Sequence, residues 1–152
     1  MKRLVAATAA LIATAGVADT ANLNITANVR GTCKIESVQS VDFGDLTQGA
    51  TAPDKTAPGT VNYWCTKGVS YTVTLGTGNN ASGTVRRMKG QATTNNTEFL
   101  PYDLASNSPT SGVGKGPQSP ELHNVTGTVR GADYNTLSVG GFMDAVVVTI
   151  SP

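Results

Sequence analysis

Apolar and polar positions alternate with a period of two along most of this chain. Leu23, Ile25, Ala27 and Val29 are separated by Asn24, Thr26 and Asn28, the mark of an extended strand with one apolar face. Val61, Tyr63 and Cys65 alternate with Asn62 and Trp64, and Val69, Tyr71, Val73 and Leu75 alternate with Ser70, Thr72 and Thr74. The last run is the cleanest strand signal in the sequence. Cys33, Ile35 and Val38 extend the reading around the first cysteine, followed by Val41-Asp42-Phe43-Gly44. Short strands are expected over 84–88 and 98–104, with Pro101 placing the second at an edge or kinking it, because proline has no N–H for the ladder. Residues 122–129 and 144–150 complete the set. After the first eighteen residues, apolar side chains never recur at helical spacing for three turns.

Breakers divide these runs. Residues 47–58 hold Pro53 and Pro58 among alanines and read as a loop. Gly76-Thr77-Gly78-Asn79-Asn80 reads as a turn and not as a phosphate cradle, which needs a following helix or a Lys-Ser/Thr pair. Residues 105–121 carry Pro109, Pro117 and Pro120 among serines and glycines and read as one long irregular connection. Seven or eight strands with this punctuation predict one all-β domain, a Greek-key-like sandwich without internal repeats.

The first residues read differently. Lys2 and Arg3 precede an uncharged stretch from Leu4 to Val17, and Gly16 and Ala18 supply small residues at the −3 and −1 positions of a cleavage site. Residues 1–18 therefore read as a secretory signal peptide, with a cut after Ala15 as the alternative. A membrane-spanning helix needs about 20 apolar residues, more than this stretch holds. Removing the signal takes away two positive charges, so the formal +1 becomes −1. With 14% charged residues, that balance gives no pull toward nucleic acid or anionic lipid.

Export changes the meaning of the cysteines. Cys33 and Cys65 are the only two, and in an oxidising compartment such a pair reads as one structural disulfide. Free thiols or half of a metal site are the alternatives; no Cys-x-x-Cys spacing accompanies them and His123 is the only histidine. A disulfide here would contribute about 3–4 kcal/mol in the chain-entropy estimate.

Candidate chemistry is sparse. No Gly-x-Ser-x-Gly elbow occurs, and His123, beside Pro120 and Asn124, is expected on the surface. Asp42 and Asp45 lack the acidic spacing of a calcium loop and suit turns. Arg86, Arg87 and Lys89 form the one basic cluster. With 5% aromatic residues in the chain, it suits a solvated edge strand protected by charge better than a nucleic-acid site. No catalytic residue, metal site, nucleotide or cofactor is expected, and the chain does not read as an enzyme.

The order of segments carries a resemblance. Cys33-Lys34-Ile35, Val41-Asp42-Phe43-Gly44, and Thr60 through Thr66 with Tyr63-Trp64-Cys65 come first. Gly68 through Leu75, Gly78-Asn79, the run 86–88 and Leu100-Pro101-Tyr102-Asp103-Leu104 follow. Gly141-Phe142-Met143-Asp144 then leads into Val146 through Ile150. In this order, and with these cysteines, the chain resembles the spore coat protein U family, whose members include subunits of archaic, Csu-type chaperone–usher pili. Phe142 stands where the family often has Tyr, and residues 105–121 match nothing in particular.

The resemblance implies an immunoglobulin-like sandwich that is incomplete and is completed by a donor strand from a neighbouring subunit. Here nothing follows the strand through Ile150 except Ser151-Pro152. Residues 19–30 would be the donor and 31–152 the pilin-like domain. Burying Leu23, Ile25, Ala27 and Val29 in a neighbour's groove would contribute about 6–8 kcal/mol, of the order of a whole domain's stability. Donor and acceptor on one chain give a head-to-tail contact that does not close, and so a fibre. The implied partners are identical or homologous subunits, with a periplasmic chaperone and an outer-membrane usher during assembly. The implied location is the periplasm in transit and then a cell-surface fibre supporting adhesion or biofilm formation. A self-complemented secreted binding module and a structural protein of a spore or outer coat are the alternatives.

Overall fold

The computed structural model describes residues 16–152; most of the expected signal peptide, residues 1–15, lies outside the described residues. Nine strands and one helical turn follow in the order β1 (Cys33–Gln39), β2 (Lys55–Cys65), β3 (Ser70–Leu75), β4 (Arg86–Gly90), β5 (Phe99–Ser106), β6 (Ser111–Val113), β7 (Glu121–Val129), α1 (Gly131–Tyr134), β8 (Phe142–Met143) and β9 (Val148–Ser151). They form a six-stranded sheet, β1-β2-β7-β5-β4-β8, and a three-stranded sheet, β6-β3-β9. Every pairing is antiparallel. The chain crosses repeatedly between the sheets, and β7 inserts between β2 and β5, so the all-β, immunoglobulin-like Greek-key reading holds.

β2 fixes the frame. It runs from Lys55, at what we call the far end, to Cys65, at the disulfide end, with every second residue from Ala57 to Cys65 buried. β1 and β7 run the opposite way beside it. At the disulfide end Tyr63 and Cys65 pack against Tyr71 and Val73 of the small sheet, with Cys33, Val148 and Ile150 around them. Cys33 and Cys65 face each other across β1 and β2 and are bonded, Sγ–Sγ 2.00 Å. The tyrosine rings meet edge to face, centroids 5.4 Å apart, and their hydroxyls are 3.0 Å apart. Burial foremost, then that hydrogen bond, pushes the Tyr63 hydroxyl well above its ordinary range.

At the far end a second cluster of Leu100, Val129 and Tyr134 is covered by Phe43, Leu46, Ala52, Met88 and Phe142. Loop side chains replace the small sheet there. The loop is held to α1 by Tyr134 Oη donating to Pro53 O (2.6 Å), Gly131 N–H to Asp54 Oδ1 (2.9 Å) and Gln48 Nε2 to Leu137 O (2.6 Å).

Several expectations from the sequence need correction. The expected loop over 47–58 ends at Asp54, because β2 already begins at Lys55 and carries Pro58. The connection 105–121 contains β6. β5 is an interior strand despite Pro101, and β4 lies between β5 and β8. Arg86 and Arg87 are therefore only partly exposed: Arg86 donates from Nη2 to Gly76 O (2.8 Å), Arg87 from Nε to Asn80 O (3.0 Å), and Arg87 stacks over Phe99 at 4.3 Å. His123 is 1% exposed, not a surface residue. The strand expected over 144–150 begins only at Val148.

Candidate interaction groove

Residues 16–32 form no strand and pair with no sheet. The alternation seen in the sequence is present there without a partner: Leu23, Ile25 and Val29 are 86–89% exposed, and Ala27 is exposed as well. The segment joins the body at the disulfide end, where Thr66 N–H donates to Thr32 O at 2.8 Å and Thr66 Oγ1 donates to Arg30 O at 3.4 Å. Four apolar side chains left in water at alternate positions are an arrangement that natural proteins do not keep without a use.

The sandwich has a matching defect. Among the described residues β1 pairs only with β2, and β9 pairs only with β3, so each presents one unpaired edge. The two approach near Cys33 and Ile150 and diverge toward the far end. The gap between them is a concavity of about 630 Å³ whose apolar lining includes Val38, Val61, Leu75, Met88, Phe142 and Val148. It continues past Val41, Phe43 and Phe142 into a second concavity of about 840 Å³ at the far end, beside Leu46, Leu100 and Leu137. Val38 is an inward-facing residue, opposite Val61, yet it is 58% exposed because nothing covers it.

Local chemistry holds the groove in shape. Residues 41–43 lie across β2 and β7 where those strands carry glycine: a Cβ on Gly127 would sit 2.5 Å from Val41 Cγ1 and 2.8 Å from Phe43 Cζ, and one on Gly59 would sit 2.8 Å from Val41 Cγ2. The opposite rim is pinned by Asp144. Its Oδ1 accepts from Asn79 N–H (2.9 Å), Asn80 N–H (3.2 Å) and Asn80 Nδ2 (3.0 Å), and its Oδ2 accepts from Tyr102 Oη (2.7 Å). Gly78, at φ 91°, lets the turn close on that carboxylate. Burial, then the bond to Asp144, raises the Tyr102 hydroxyl far above its ordinary range, so it stays a donor. Asn95, fully buried, ties this rim to the body through Gly141 O (3.3 Å).

One polar pair invites a catalytic reading. Ser106 Oγ lies 2.7 Å from His123 Nε2. Ser106 Oγ also lies 3.3 Å from Ser108 O, and which of the pair donates depends on the imidazole tautomer. His123 Nδ1 has no partner, so no carboxylate orients the ring, and burial lowers the imidazole's affinity for a proton. The pair secures β5 to β7. Asp42 behaves as expected of a turn residue, its Oδ1 accepting from Gly44 N–H at 2.8 Å. Among the described residues no three His, Cys, Asp or Glu side chains converge as metal ligands.

The structure thus joins Cys33 to Cys65 and leaves Leu23, Ile25, Ala27 and Val29 exposed on an unpaired segment. It also supplies what sequence reasoning missed, the groove rims and Asp144. Tyr102 and Asp144 are 42 positions apart, and no periodicity links them.

Comparison with known proteins adds three findings. The family model described as Spore Coat Protein U domain matches residues 19–149. No curated protein matches the chain. Among solved structures, a chain of the chaperone–tip adhesion subunit pre-assembly complex from archaic chaperone–usher Csu pili of Acinetobacter baumannii is similar in fold, with a TM-score of 0.52 and 23% identity. The match covers 80% of this chain but 40% of that one, so this chain spans well under half of its length.

Proposed function

The chain belongs to the spore coat protein U domain family, and on that premise we propose that it is an exported structural subunit of a chaperone–usher surface fibre that polymerises by strand donation. The observation that carries this reading is the coexistence of an unpaired amphipathic segment and an apolar groove bounded by two unpaired strand edges. Each is unfavourable alone, and each is the complement of the other.

Strand direction distinguishes donation to another copy from self-completion. β9 runs from the far end to the disulfide end, antiparallel to β3. A segment folding back on its own β1 through Gly31 and Thr32 would run antiparallel to β1 and therefore parallel to β9. A segment arriving from another copy is free to run the other way, antiparallel to β9 and parallel to β1. Leu23, Ile25, Ala27 and Val29 then fill the groove from the disulfide end toward the far end. A signal peptide over 1–18, a donor over 19–30 and a body over 31–152 follow from this reading.

Until a second subunit arrives the groove needs a temporary strand. The fold neighbour's title describes a chaperone–subunit complex, which supports a periplasmic chaperone as the first partner and an usher as the site of exchange. Completion of the fold supplies the free energy, so no nucleotide enters, and the role is structural and not catalytic. Support of adhesion or biofilm formation follows from a surface fibre.

The test is to export the chain and compare it with Ile25→Asp and with a deletion of residues 19–30. Fibres by negative-stain microscopy and SDS-resistant ladders are expected from the unaltered chain alone, because a carboxylate in the groove costs more than the segment contributes. Stable monomers from all three would sink the proposal and favour a self-completed binding module.

A further inference from the structure

We infer that the two ends of the sandwich are electrostatically complementary docking faces for successive copies of this chain, the basic disulfide end of one copy seating on the acidic far end of the next; the inference rests on the strand-donation reading. Three facts carry it.

The first is where the charges lie. Arg30, Lys34 and Lys67 are exposed at the disulfide end. Arg30 is held beside the β2–β3 turn by Thr66, Lys67 sits in that turn next to Gly116, and Lys34 lies across from Trp64. At the far end stand Asp42, Asp45, Asp54 and Asp133, on the loop before β2 and on α1. Lys55 and Arg130 are the cations among them, Lys55 with its Nζ committed to Asp45 O at 2.7 Å and Arg130 paired with Asp103 at 2.9 Å.

The second is that none of the disulfide end's three cations or the far end's four carboxylates is spent in an ion pair among the described residues. The ion pairs among the described residues are Lys115–Glu121 and Arg130–Asp103, each at 2.9 Å. Neither uses any of the three cations or four carboxylates. Glu36, two residues from Lys34 on β1, is exposed as well.

The third is the tether. Only Arg30, Gly31 and Thr32 separate Val29 from the disulfide at Cys33, a reach of about 14 Å even when fully extended. With the donor antiparallel to β9, its last apolar residue leaves the groove at the far end, past Asp42 and Asp45, which stand on the groove's rim. The incoming body is then held with Arg30 and Lys67 against those carboxylates. Opposite charges so confined raise the encounter rate and fix orientation, and salt weakens both effects.

The test follows assembly of the exported, purified full chain as SDS-resistant ladders against time, from about 20 to 500 mM NaCl. Salt is expected to slow the unaltered chain by about tenfold or more. Arg30→Glu with Lys67→Glu, or Asp45→Lys with Asp133→Lys, should slow assembly about tenfold or more at low salt, and all four together should return the rate to within about threefold. Near-UV circular dichroism checks that each variant folds, and Arg30→Gln with Lys67→Gln gives a milder reading in the same direction. Assembly indifferent to salt and to reversal, or reversals that do not rescue each other, would overturn the inference. Ile25→Asp separates the two ideas: ladders that persist with it sink strand donation itself, whereas ladders that need Ile25 but ignore charge sink only the docking faces.

Discussion

The disulfide end and the far end of the sandwich bury their apolar side chains in opposite ways. At the first, two sheets face each other, two tyrosines interlock, and a covalent bond ties the outermost strand down. At the second, the small sheet falls short, and loop residues such as Phe43, Leu46 and Leu137 cover a cluster that stays open to a groove. The difference shows how a domain can fold without being finished. One end is closed firmly enough to hold the frame, so the other can keep an apolar channel open for a strand it does not own.

The firmest way to break this comparison is to remove the covalent tie. Replacing Cys33 and Cys65 by alanine should cost about 3–4 kcal/mol in urea denaturation of the exported monomer, with amide exchange rising first around Tyr63 and Tyr71. Exchange rising equally at Leu100 would mean that the two ends are one cooperative unit. At the far end, Leu100→Ala should cost about 3 kcal/mol, because the side chain is 1% exposed. A much smaller loss would mean that the open cluster collapses to fill the cavity.

The rim gives the next effect. Asp144→Ala removes a carboxylate that accepts four hydrogen bonds and should cost about 2 kcal/mol. It should also slow strand uptake more than its stability loss explains, and equal loss in both readouts would deny the rim any role in shaping the groove. Tyr71→Phe at the closed end should cost only about 1 kcal/mol, since it removes one buried hydrogen bond and leaves the ring stacked. The mildest test is pH. His123 is neutral in the fold and its folded pKa lies below the ordinary 6.5. Its contribution is therefore complete above about pH 6.5 and is lost as pH falls from there to the lowered folded value. His123→Asn should flatten that slope in thermal denaturation between pH 7 and 5.

Much of this was legible in the residues. The alternation from Tyr71 to Leu75 became β3, and that from Val61 to Cys65 became the end of β2. The prolines misled because the rule against them is local. At Pro58, β2 has lost β1, whose pairing stops at Gln39 and Thr60, and at Pro101, β5 pairs with β4 alone, since β7 joins only from Asp103. Each proline thus sits where its strand is paired on one side alone, inside strands that are otherwise interior. His123 was in phase with Val125 and Val129 and belonged to the buried face, but Gly127 broke the apolar pattern that would have revealed it. The donor half of the candidate site is one continuous segment and could be read directly. The groove could not, because Val38, Met88, Tyr102 and Phe142 meet only through sheet topology.

The position of the disulfide has a mechanical meaning. In a fibre built by strand donation, tension on one copy enters its body at Cys33, four residues after the donor's last apolar side chain. Without a bond there, the load would pass from β1 to β2 through their backbone hydrogen bonds alone. The Cys33–Cys65 bridge passes the force at once into β2, which is clamped along its length by β7. The donor itself is then loaded lengthwise, with its contacts resisting together.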